Sequence, residues 1–299
     1  MSRRSRQARK AFDRISITAI TWVLRGYSFL MPYRPGVWLG AVLGRILFYL
    51  FPRERARTVE HLRIAFPDRD ESWIRSTALG SFAHLGRSLM ESLLITPSRL
   101  ARITDFPGRE NLQRAHAQGK GVIYVTGHIG NWELSGGVLA ASFPLRVVAA
   151  PLKPKALNDL VIRLRDRIGI KIILRSMPGA SKELIRIFKE NRVLGLLIDQ
   201  DTDVDGAFVE FMGRPAWTPT AAATMALKFG APVVFGYARR EKSGRHTVHV
   251  EGPLELVRTG NLEQDVIANT ALFTRKIEER IRENPEQWVW LHRRWRRQP

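Results

Sequence analysis

The apolar positions divide the chain into a helical first third and a region where strands and helices alternate. Up to about residue 100, apolar residues recur at helical spacing, notably over 58–65 and 72–94, with a turn between these segments. From Gly121 onward, the pattern predicts strands at 122–125, 147–149, 171–174, 193–198, 233–238 and 247–251, and helices at 156–167, 181–191, 220–229 and 262–283. This order predicts an α/β fold, with a mostly parallel or mixed sheet flanked by helices.

Two apolar runs near the amino terminus indicate a membrane-associated helical segment. Residues 15–24 and 37–51 are each shorter than the roughly 20 residues that cross a bilayer, and residues 31–36 between them are typical of a turn. Basic residues at both outer ends favour a hairpin in the cytoplasmic leaflet of the inner membrane. A hairpin packed on the protein's own core is the alternative. We therefore predict a basic arm and membrane anchor in residues 1–52, and a second domain in residues 53–299.

Composition narrows the kinds of partner and of chemistry. With 48 Lys and Arg against 28 Asp and Glu, the net charge is +20, which favours an anionic membrane surface, an acidic carrier protein or nucleic acid. No nucleic-acid-binding motif accompanies the charge, so nucleic acid is not expected. The chain has no cysteine, which excludes disulfides and thiolate nucleophiles. His246 and His249 would face opposite sides of a strand, so no metal site is expected. No Walker or Rossmann glycine pattern is present, and no cofactor is expected.

Residues 121–133, Gly-Val-Ile-Tyr-Val-Thr-Gly-His-Ile-Gly-Asn-Trp-Glu, carry the strongest chemical signal. An apolar strand ends in a glycine-framed turn that presents His128. Asn131 is predicted to cap the following helix, with Glu133 in its first turn. We predict that Glu133 binds one imidazole nitrogen of His128 and leaves the other free to act as a general base. A buried histidine satisfied by a nearby carboxylate is the alternative.

Three further segments are candidates for the same site, since α/β folds place their sites at the carboxyl ends of strands. Asp199 and Gln200 follow the strand 193–198, where Asp199 can orient an arginine, a backbone loop or an acceptor hydroxyl. Arginines 163 and 167 share one helix face while Arg165 points elsewhere, and such side chains hold phosphate or form an exposed basic face. Residues 208–219 are predicted to be a loop broken by Gly and Pro that suits a wall for an acyl chain, with ordinary loop packing as the alternative.

Together these residues resemble the bacterial lipid A biosynthesis acyltransferases, the late lauroyl and myristoyl transferases, within the wider lysophospholipid acyltransferase superfamily. The matching elements are His128-x4-Glu133, Arg165-x-Arg167, and the segments 198–201, 211–218 and 285–294. The resemblance implies that the histidine deprotonates the acceptor hydroxyl and that the acidic partner orients it. It also places residues like Arg165 and Asp199 in the functional set.

The resemblance further implies transfer of a fatty acyl group from a thioester on acyl carrier protein, or on coenzyme A, to a hydroxyl of a membrane lipid. A lipid A precursor is the favoured acceptor; a lysophospholipid, an ornithine-type lipid and a phosphoinositol mannoside are alternatives, as is a non-catalytic membrane-binding protein of this fold. Backbone amides of the 127–132 turn are candidate donors to the thioester oxygen. The expected substrate-binding residues are Arg165, Asp199, Arg167, Asn131 and Gln200.

Overall fold

The computed structural model describes residues 31–175 and 178–299, so the predicted apolar run at 15–24 lies outside the described residues. The helices are α1 (Tyr33–Leu50), α2 (Pro52–Ala65), α3 (Glu71–Leu94), α4 (Pro97–Ile103), α5 (Arg109–His116), α6 (Trp132–Ala140), α7 (Lys155–Arg167), α8 (Ala180–Lys189), α9 (Ala221–Phe229) and α10 (Leu262–Glu283). The strands are β1 (Thr104–Asp105), β2 (Val122–Thr126), β3 (Leu145–Ala149), β4 (Lys171–Leu174), β5 (Val193–Leu197), β6 (Gly206–Phe211), β7 (Arg214–Pro219), β8 (Val233–Arg240) and β9 (His246–Glu251). A short 3₁₀ turn, Pro285–Gln287, follows α10.

Seven of the strands form one mixed sheet in the order β1-β9-β8-β2-β5-β3-β4. Every neighbouring pair is parallel except β8 and β9, which confirms the predicted α/β fold. Strand β2 lies at the centre with β5 beside it, and Thr126 at the end of β2 faces Leu197 at the end of β5. Because parallel strands end at the same sheet edge, the turn after β2 and the loop after β5 are neighbours.

Helices cover both faces of the sheet, and alternate side chains of β2 pack into different layers. Ile123 and Val125 belong to a core cluster that includes Phe273 of α10. Val122 and Tyr124 belong to a second cluster that includes Leu134 of α6. The sheet is therefore buried on both sides, which explains why its central strands read as unbroken apolar runs.

Two local predictions were wrong. Residues 33–36, predicted as part of a turn, form the start of α1, since a proline in the first helical turn removes only an amide that has no intrahelical acceptor. Residues 208–219, predicted as a loop, lie almost entirely in the β6–β7 hairpin, where Phe211 pairs with Arg214. Met212 and Gly213 between them have φ of 54° and 73°. A two-residue loop with positive φ at both positions matches the twist of a hairpin.

Helix α1 packs closely against α3 through small residues. Its buried residues include Gly36, Gly40 and Gly44, which lie at four-residue spacing on one face. A Cβ atom on Gly86 of α3 would lie 2.0 Å from the Gly40 carbonyl oxygen, so only glycine permits this approach of the two backbones. The predicted domain boundary at residue 52, just after this helix, stays a prediction.

No helix within the described ranges is, by itself, long and apolar enough to cross a membrane. Helices α1 and α2 meet the length and composition requirement only when taken together, and they are bent by 96° relative to each other.

Replacing Gly86 with alanine is expected to lower the free energy of unfolding by about 1–3 kcal/mol, because the new methyl group overpacks the α1–α3 contact. In an open helix the same change has the opposite sign and stabilises by about 1 kcal/mol. Denaturant unfolding followed by circular dichroism measures the difference. Gly136→Ala is the matched control with a smaller expected loss, since its Cβ would meet the flexible end of the Ile170 side chain. A more stable Gly86→Ala protein would contradict the close packing.

Candidate active site

His128 lies in the turn that joins β2 to α6, at the carboxyl edge of the sheet. The turn requires glycine at position 130, where φ is 59° and a Cβ atom would lie 1.7 Å from the Ala238 carbonyl oxygen. The Gly130 amide donates a 2.7 Å hydrogen bond to the Gln287 carbonyl oxygen. The turn is therefore fixed against β8 on one side and against the segment after α10 on the other. The His128 side chain within it is 20% exposed.

Asp199, in the loop after β5, holds His128 through both of its oxygens. Its Oδ1 lies 2.8 Å from His128 Nδ1, and its Oδ2 accepts from the His128 backbone amide at 2.6 Å. Trp288 Nε1 donates to the same Oδ2 at 2.7 Å. Because Nδ1 faces a carboxylate it carries the proton, and Nε2 keeps its lone pair. The prediction that Asp199 faces the same cleft as His128 is confirmed.

The electrostatics of this pair favour an ionised Asp199. Burial alone raises the pKa of the Asp199 carboxyl, which is 2% exposed. Electrostatic attraction to His128 and the hydrogen bonds from His128 and Trp288 outweigh burial and hold that pKa well below its usual range. Asp199 is therefore a carboxylate at neutral pH, with its three donors in place of water.

The predicted pairing of Glu133 with His128 is wrong, because Glu133 binds Arg165 of α7. Arg165 Nη2 donates to Glu133 Oε1 at 2.6 Å, and Arg165 Nε donates to Oε2 at 2.9 Å. This is the bidentate geometry in which a guanidinium binds a carboxylate most strongly. Both side chains are about four-fifths buried, with exposures of 20% and 17%. The first turn of α6 directs Glu133 towards α7, while His128 in the preceding turn faces the loop after β5. A catalytic role for Glu133 stays a prediction.

Trp132 joins the His128–Asp199 pair to the Glu133–Arg165 pair. Its ring centroid lies 4.9 Å from that of His128, and its Nε1 donates to Glu133 Oε1 at 3.1 Å. On its other side, Trp132 lines a cavity of about 390 Å³ between α1, α3 and α7. Apolar side chains and glycines form most of the cavity wall, while Glu133 and Arg165 form part of its polar lining. A largely apolar cavity therefore ends one side chain away from His128.

Gln200 contacts the His128 ring, whereas the side chain of Asn131, three residues further along the turn, contacts other groups. Gln200 Nε2 is 3.0 Å from His128 Nδ1 and 3.1 Å from Nε2. An atom nearly equidistant from both ring nitrogens would collide with Cε1 if it lay in the plane of the ring. The Gln200 amide therefore lies over the face of the ring, and the Nε2 lone pair, which lies in the ring plane, stays accessible. Asn131 caps α6 as predicted, with its Oδ1 accepting from the Leu134 amide, and its Nδ2 donates to the Ser88 carbonyl oxygen and to Glu91.

Arg167 lies at the end of α7 and donates from Nη2 to the Leu93 carbonyl oxygen at 2.7 Å. The structure therefore connects it to the carboxyl end of α3 and does not bring it into the Glu133–Arg165 pair. The predicted substrate-binding roles of Arg165, Arg167, Asn131, Asp199 and Gln200 are not tested by these contacts and stay predictions.

The amides of the turn are only partly available as donors. The His128 amide binds Asp199, and the Gly130 amide binds the Gln287 carbonyl oxygen. Trp132 and Glu133 are the first two residues of α6, whose amides have no acceptor within the helix. Among residues 31–175 and 178–299, no hydrogen bond uses either of these two amides. The Trp132 and Glu133 amides at the helix end of the turn are therefore available as donors.

Sequence reasoning assigned no role to Trp288 or His292, which lie in the segment after α10. Ile129 forms an antiparallel bridge with Trp288, so this segment runs along the turn that carries His128. The centroid of the His292 ring lies 5.3 Å from that of His128. In the sequence, residues 285–294 stand out only as a family signature. Nothing in their spacing indicates the contact between Trp288 and Asp199, which are 89 positions apart in the chain.

Within the described ranges, no group of three or more histidine, aspartate or glutamate side chains is arranged to hold a metal ion. His246 is buried and His249 lies on the opposite face of β9, as the alternation of the strand predicted.

Comparison with known proteins identifies the family. Residues 5–297 match the family model described as bacterial lipid A biosynthesis acyltransferase, so the chain belongs to this family and is an acyltransferase. The lipid A biosynthesis lauroyltransferase of Escherichia coli strain K12 is 28% identical over 290 residues, which cover 94% of this chain and 92% of that protein. The palmitoleoyltransferase of the same strain is 25% identical over 293 residues, with the same coverage. The phosphatidylinositol mannoside acyltransferase of Mycobacterium tuberculosis strain H37Rv is 27% identical over 225 residues, covering 73% of this chain and 69% of that protein.

His292 is expected to make stability depend on pH. Burial and the neighbouring His128 lower the pKa of His292 from 6.5 to about 4, so between these values the unfolded chain binds the proton more readily. The free energy of unfolding should therefore fall as the pH falls from about 6.5 towards 4. In His292→Gln this component is lost, and the wild-type advantage should shrink over that range by on the order of 3 kcal/mol. Denaturant unfolding at several pH values measures it, and parallel curves for the two proteins would contradict it.

Proposed function

We propose that the enzyme transfers a fatty acyl group from a thioester to a hydroxyl of a membrane lipid, with His128 as the general base. The observation that carries the proposal is the orientation of His128 by the buried Asp199 carboxylate, which leaves Nε2 free at the carboxyl edge of the sheet. A histidine with one nitrogen bound to a carboxylate and the other open is the arrangement that deprotonates hydroxyl groups.

In the proposed reaction, the acceptor hydroxyl attacks the carbonyl carbon of the thioester while His128 Nε2 takes the hydroxyl proton. Asp199 stabilises the imidazolium that forms. The carbonyl oxygen gains negative charge and accepts hydrogen bonds from the Trp132 and Glu133 amides at the positive end of α6. The tetrahedral intermediate then expels the thiolate, which takes the proton from His128, and the acyl group is now esterified to the lipid.

The cavity beside Trp132 supports the choice of an acyl substrate. Its wall is formed mainly by apolar side chains such as Leu47, Leu93 and Leu160, which suit an alkyl chain and offer little to a polar ligand. We place an acyl chain in this cavity and the reacting carbonyl near Trp132. Leu160 and Arg165 lie on the same helix, α7, so α7 contributes both apolar and polar side chains to the cavity wall. Glu133 adds to the polar part of the wall through its ion pair with Arg165.

Glu133 is proposed to contribute through Arg165, because its carboxylate holds the guanidinium at the polar end of the cavity. Arg165 is proposed to contact a phosphate, either on the acceptor or on the prosthetic arm of the carrier, through the other edge of its guanidinium, since the Nε–Nη2 edge binds Glu133. Gln200 over the His128 ring is proposed to meet the acceptor hydroxyl. Arg167 and Asn131 remain proposed members of the binding site, although both have protein partners here.

Acyl carrier protein is the proposed donor and a lipid A precursor the proposed acceptor. The net charge of +20 favours an anionic donor, and an acidic carrier protein is one. The two Escherichia coli relatives named for lipid A biosynthesis align over 92% of their lengths, which supports a lipid A precursor. The phosphatidylinositol mannoside acyltransferase keeps a phosphoinositol mannoside as the alternative acceptor.

Asp199→Asn is expected to lower kcat for transfer from lauroyl–acyl carrier protein to a Kdo-bearing lipid A precursor by about 10²–10⁴-fold, because the amide no longer orients the base. The kcat of the double variant with His128→Ala should be little lower than that of His128→Ala alone, since the effects of substituting residues that act as a unit do not add. Mass spectrometry of the lipid product measures transfer. Asp203→Asn, an exposed carboxylate in the same loop, is the control with unchanged kcat.

Additive losses in the double variant would contradict a unit of His128 and Asp199. The same assay run with a phosphoinositol mannoside, an ornithine-type lipid or a lysophospholipid, and with acyl-coenzyme A, decides between acceptors and donors. A wild-type protein that transfers to none of them would contradict the proposed reaction.

The surface around the cavity supports a membrane-bound acceptor. Leu43, Leu47 and Leu89 line the cavity and are also 42%, 41% and 54% exposed, so the cavity opens through an apolar rim. Trp38 and Leu50 on the same helix, α1, are each 66% exposed. We propose that this apolar face of α1, within the anchoring segment 1–52, lies in the cytoplasmic leaflet of the inner membrane and admits the lipid.

Replacing Trp38, Tyr49 and Leu50 with serine is expected to release the protein from vesicles containing phosphatidylglycerol, because the apolar burial that holds α1 in the leaflet is lost. Flotation of protein and vesicles through a density gradient measures binding. The matched control replaces Ile185, Val257 and Leu262, exposed apolar residues outside α1, with serine and should retain binding. Equal binding by both triple variants would exclude the α1 face as the contact.

A further inference from the structure

Glu91 is a charged side chain with no exposed surface, and the proposed mechanism does not use it. It lies near the carboxyl end of α3 and faces the sheet. Its Oε1 accepts from Tyr33 Oη at 3.1 Å and lies 3.0 Å from His246 Nε2. Its Oε2 accepts from Asn131 Nδ2 at 2.9 Å and forms an ion pair with Arg240. One carboxylate thus connects α1, β8, β9 and the turn that precedes α6.

The partners keep Glu91 ionised despite its burial. Burial raises its pKa, but the hydrogen bond and charge of His246 and the charge of Arg240 lower it to about 2. A carboxylate at this depth is stable only when donors satisfy its oxygens, and removing one partner leaves a buried charge uncompensated. The buried charge of Glu91 therefore requires each of these contacts to be kept.

The two oxygens of Glu91 serve different parts of the molecule. The Oε1 side binds Tyr33 and His246, which belong to the scaffold. The Oε2 side binds the amide nitrogen of Asn131, and a carboxylate accepts hydrogen bonds only from the NH₂ end of an amide. Asn131 is therefore held with its Oδ1 towards the Leu134 amide, which is the capping contact that starts α6.

We propose that Glu91 is a positioning residue for acyl transfer. Through Asn131 it fixes where α6 begins, and so it directs the Trp132 and Glu133 amides towards the reacting carbonyl. This inference rests on the proposed function. Glu91 has no exposed surface and does not touch substrate, so its effect falls on the step in which the oxyanion forms.

Three variants separate positioning from general stability. Glu91→Gln removes the charge and changes the contact with Asn131. Asn131→Ser keeps a good N-cap residue but is too short to reach Glu91, so a purely capping role would survive it. Tyr33→Phe is the matched control, since it removes a hydrogen bond from the same carboxylate on the oxygen that Asn131 does not use.

Glu91→Gln and Asn131→Ser are expected to lower kcat for transfer from lauroyl–acyl carrier protein by about 10- to 100-fold with KM little changed, because donors displaced by a fraction of an ångström lose the transition state and not the substrate. The kcat of the double variant should equal that of the less active single variant. Tyr33→Phe should lose stability while keeping kcat. Additive losses, or a loss of kcat in Tyr33→Phe as large as in Glu91→Gln, would overturn the proposal.

A readout without substrate distinguishes failure of this inference from failure of the proposed function. Two-dimensional ¹H–¹⁵N spectra should show the Trp132 and Glu133 amide resonances shifted in Glu91→Gln and in Asn131→Ser, and unmoved in Tyr33→Phe. If the wild type transfers no acyl group, the proposed function fails, and these shifts still decide whether Glu91 positions the start of α6. Unshifted resonances in a folded Asn131→Ser protein would overturn the inference. If Glu91→Gln does not fold, the amide resonances of Asn131→Ser are compared with those of Tyr33→Phe alone.

Discussion

The candidate site depends on how the charge of one buried carboxylate is compensated. Asp199 is 2% exposed, and an ionised carboxylate at that depth costs several kcal/mol unless protein donors replace water. Its donors come from the turn after β2 and from the segment after α10, which packs against that turn. Satisfying this charge therefore brings three distant parts of the chain together and sets the tautomer of His128.

Two more carboxylates hold the same stretch of chain, each at a different residue. Glu91 binds Asn131 from the side of α3, and Glu133 binds Arg165 from the side of α7. His128 and the amides at the start of α6 belong to this stretch, residues 128–133. Groups held in this way need little reorganisation when charge develops on a substrate, which is the condition under which hydrogen-bond donors accelerate acyl transfer most. The apolar cavity adjoins this segment through Trp132, so the proposed site for an acyl chain and the proposed chemistry meet at one side chain.

The sequence predicts the fold and the place of the site better than the contacts within it. Apolar runs identify the strands, and parallel strands end at one edge, so His128 and Asp199 were both expected there. The partner of His128 was assigned to Glu133 because the two are close along the chain, whereas the adjacency of β2 and β5 is a property of the sheet order. The residues around Trp288 give no sign of its role, since its hydrogen-bond partner Asp199 is 89 positions away in the chain. The β6–β7 hairpin was missed because its turn has a methionine at positive φ, where glycine or asparagine is the usual residue.

The proposed chemistry requires Asp199 to fix His128 with its proton on Nδ1 and a lone pair on Nε2. Nitrogen-15 NMR of the histidine-labelled protein at neutral pH tests it directly, with the His128 resonances assigned by comparison with His128→Gln. The expected result is a protonated Nδ1 whose proton exchanges slowly with water, an unprotonated Nε2, and loss of this pattern in Asp199→Asn. A neutral His128 that carries its proton on Nε2 would contradict this assignment, because Nε2 would then have no lone pair to accept the hydroxyl proton.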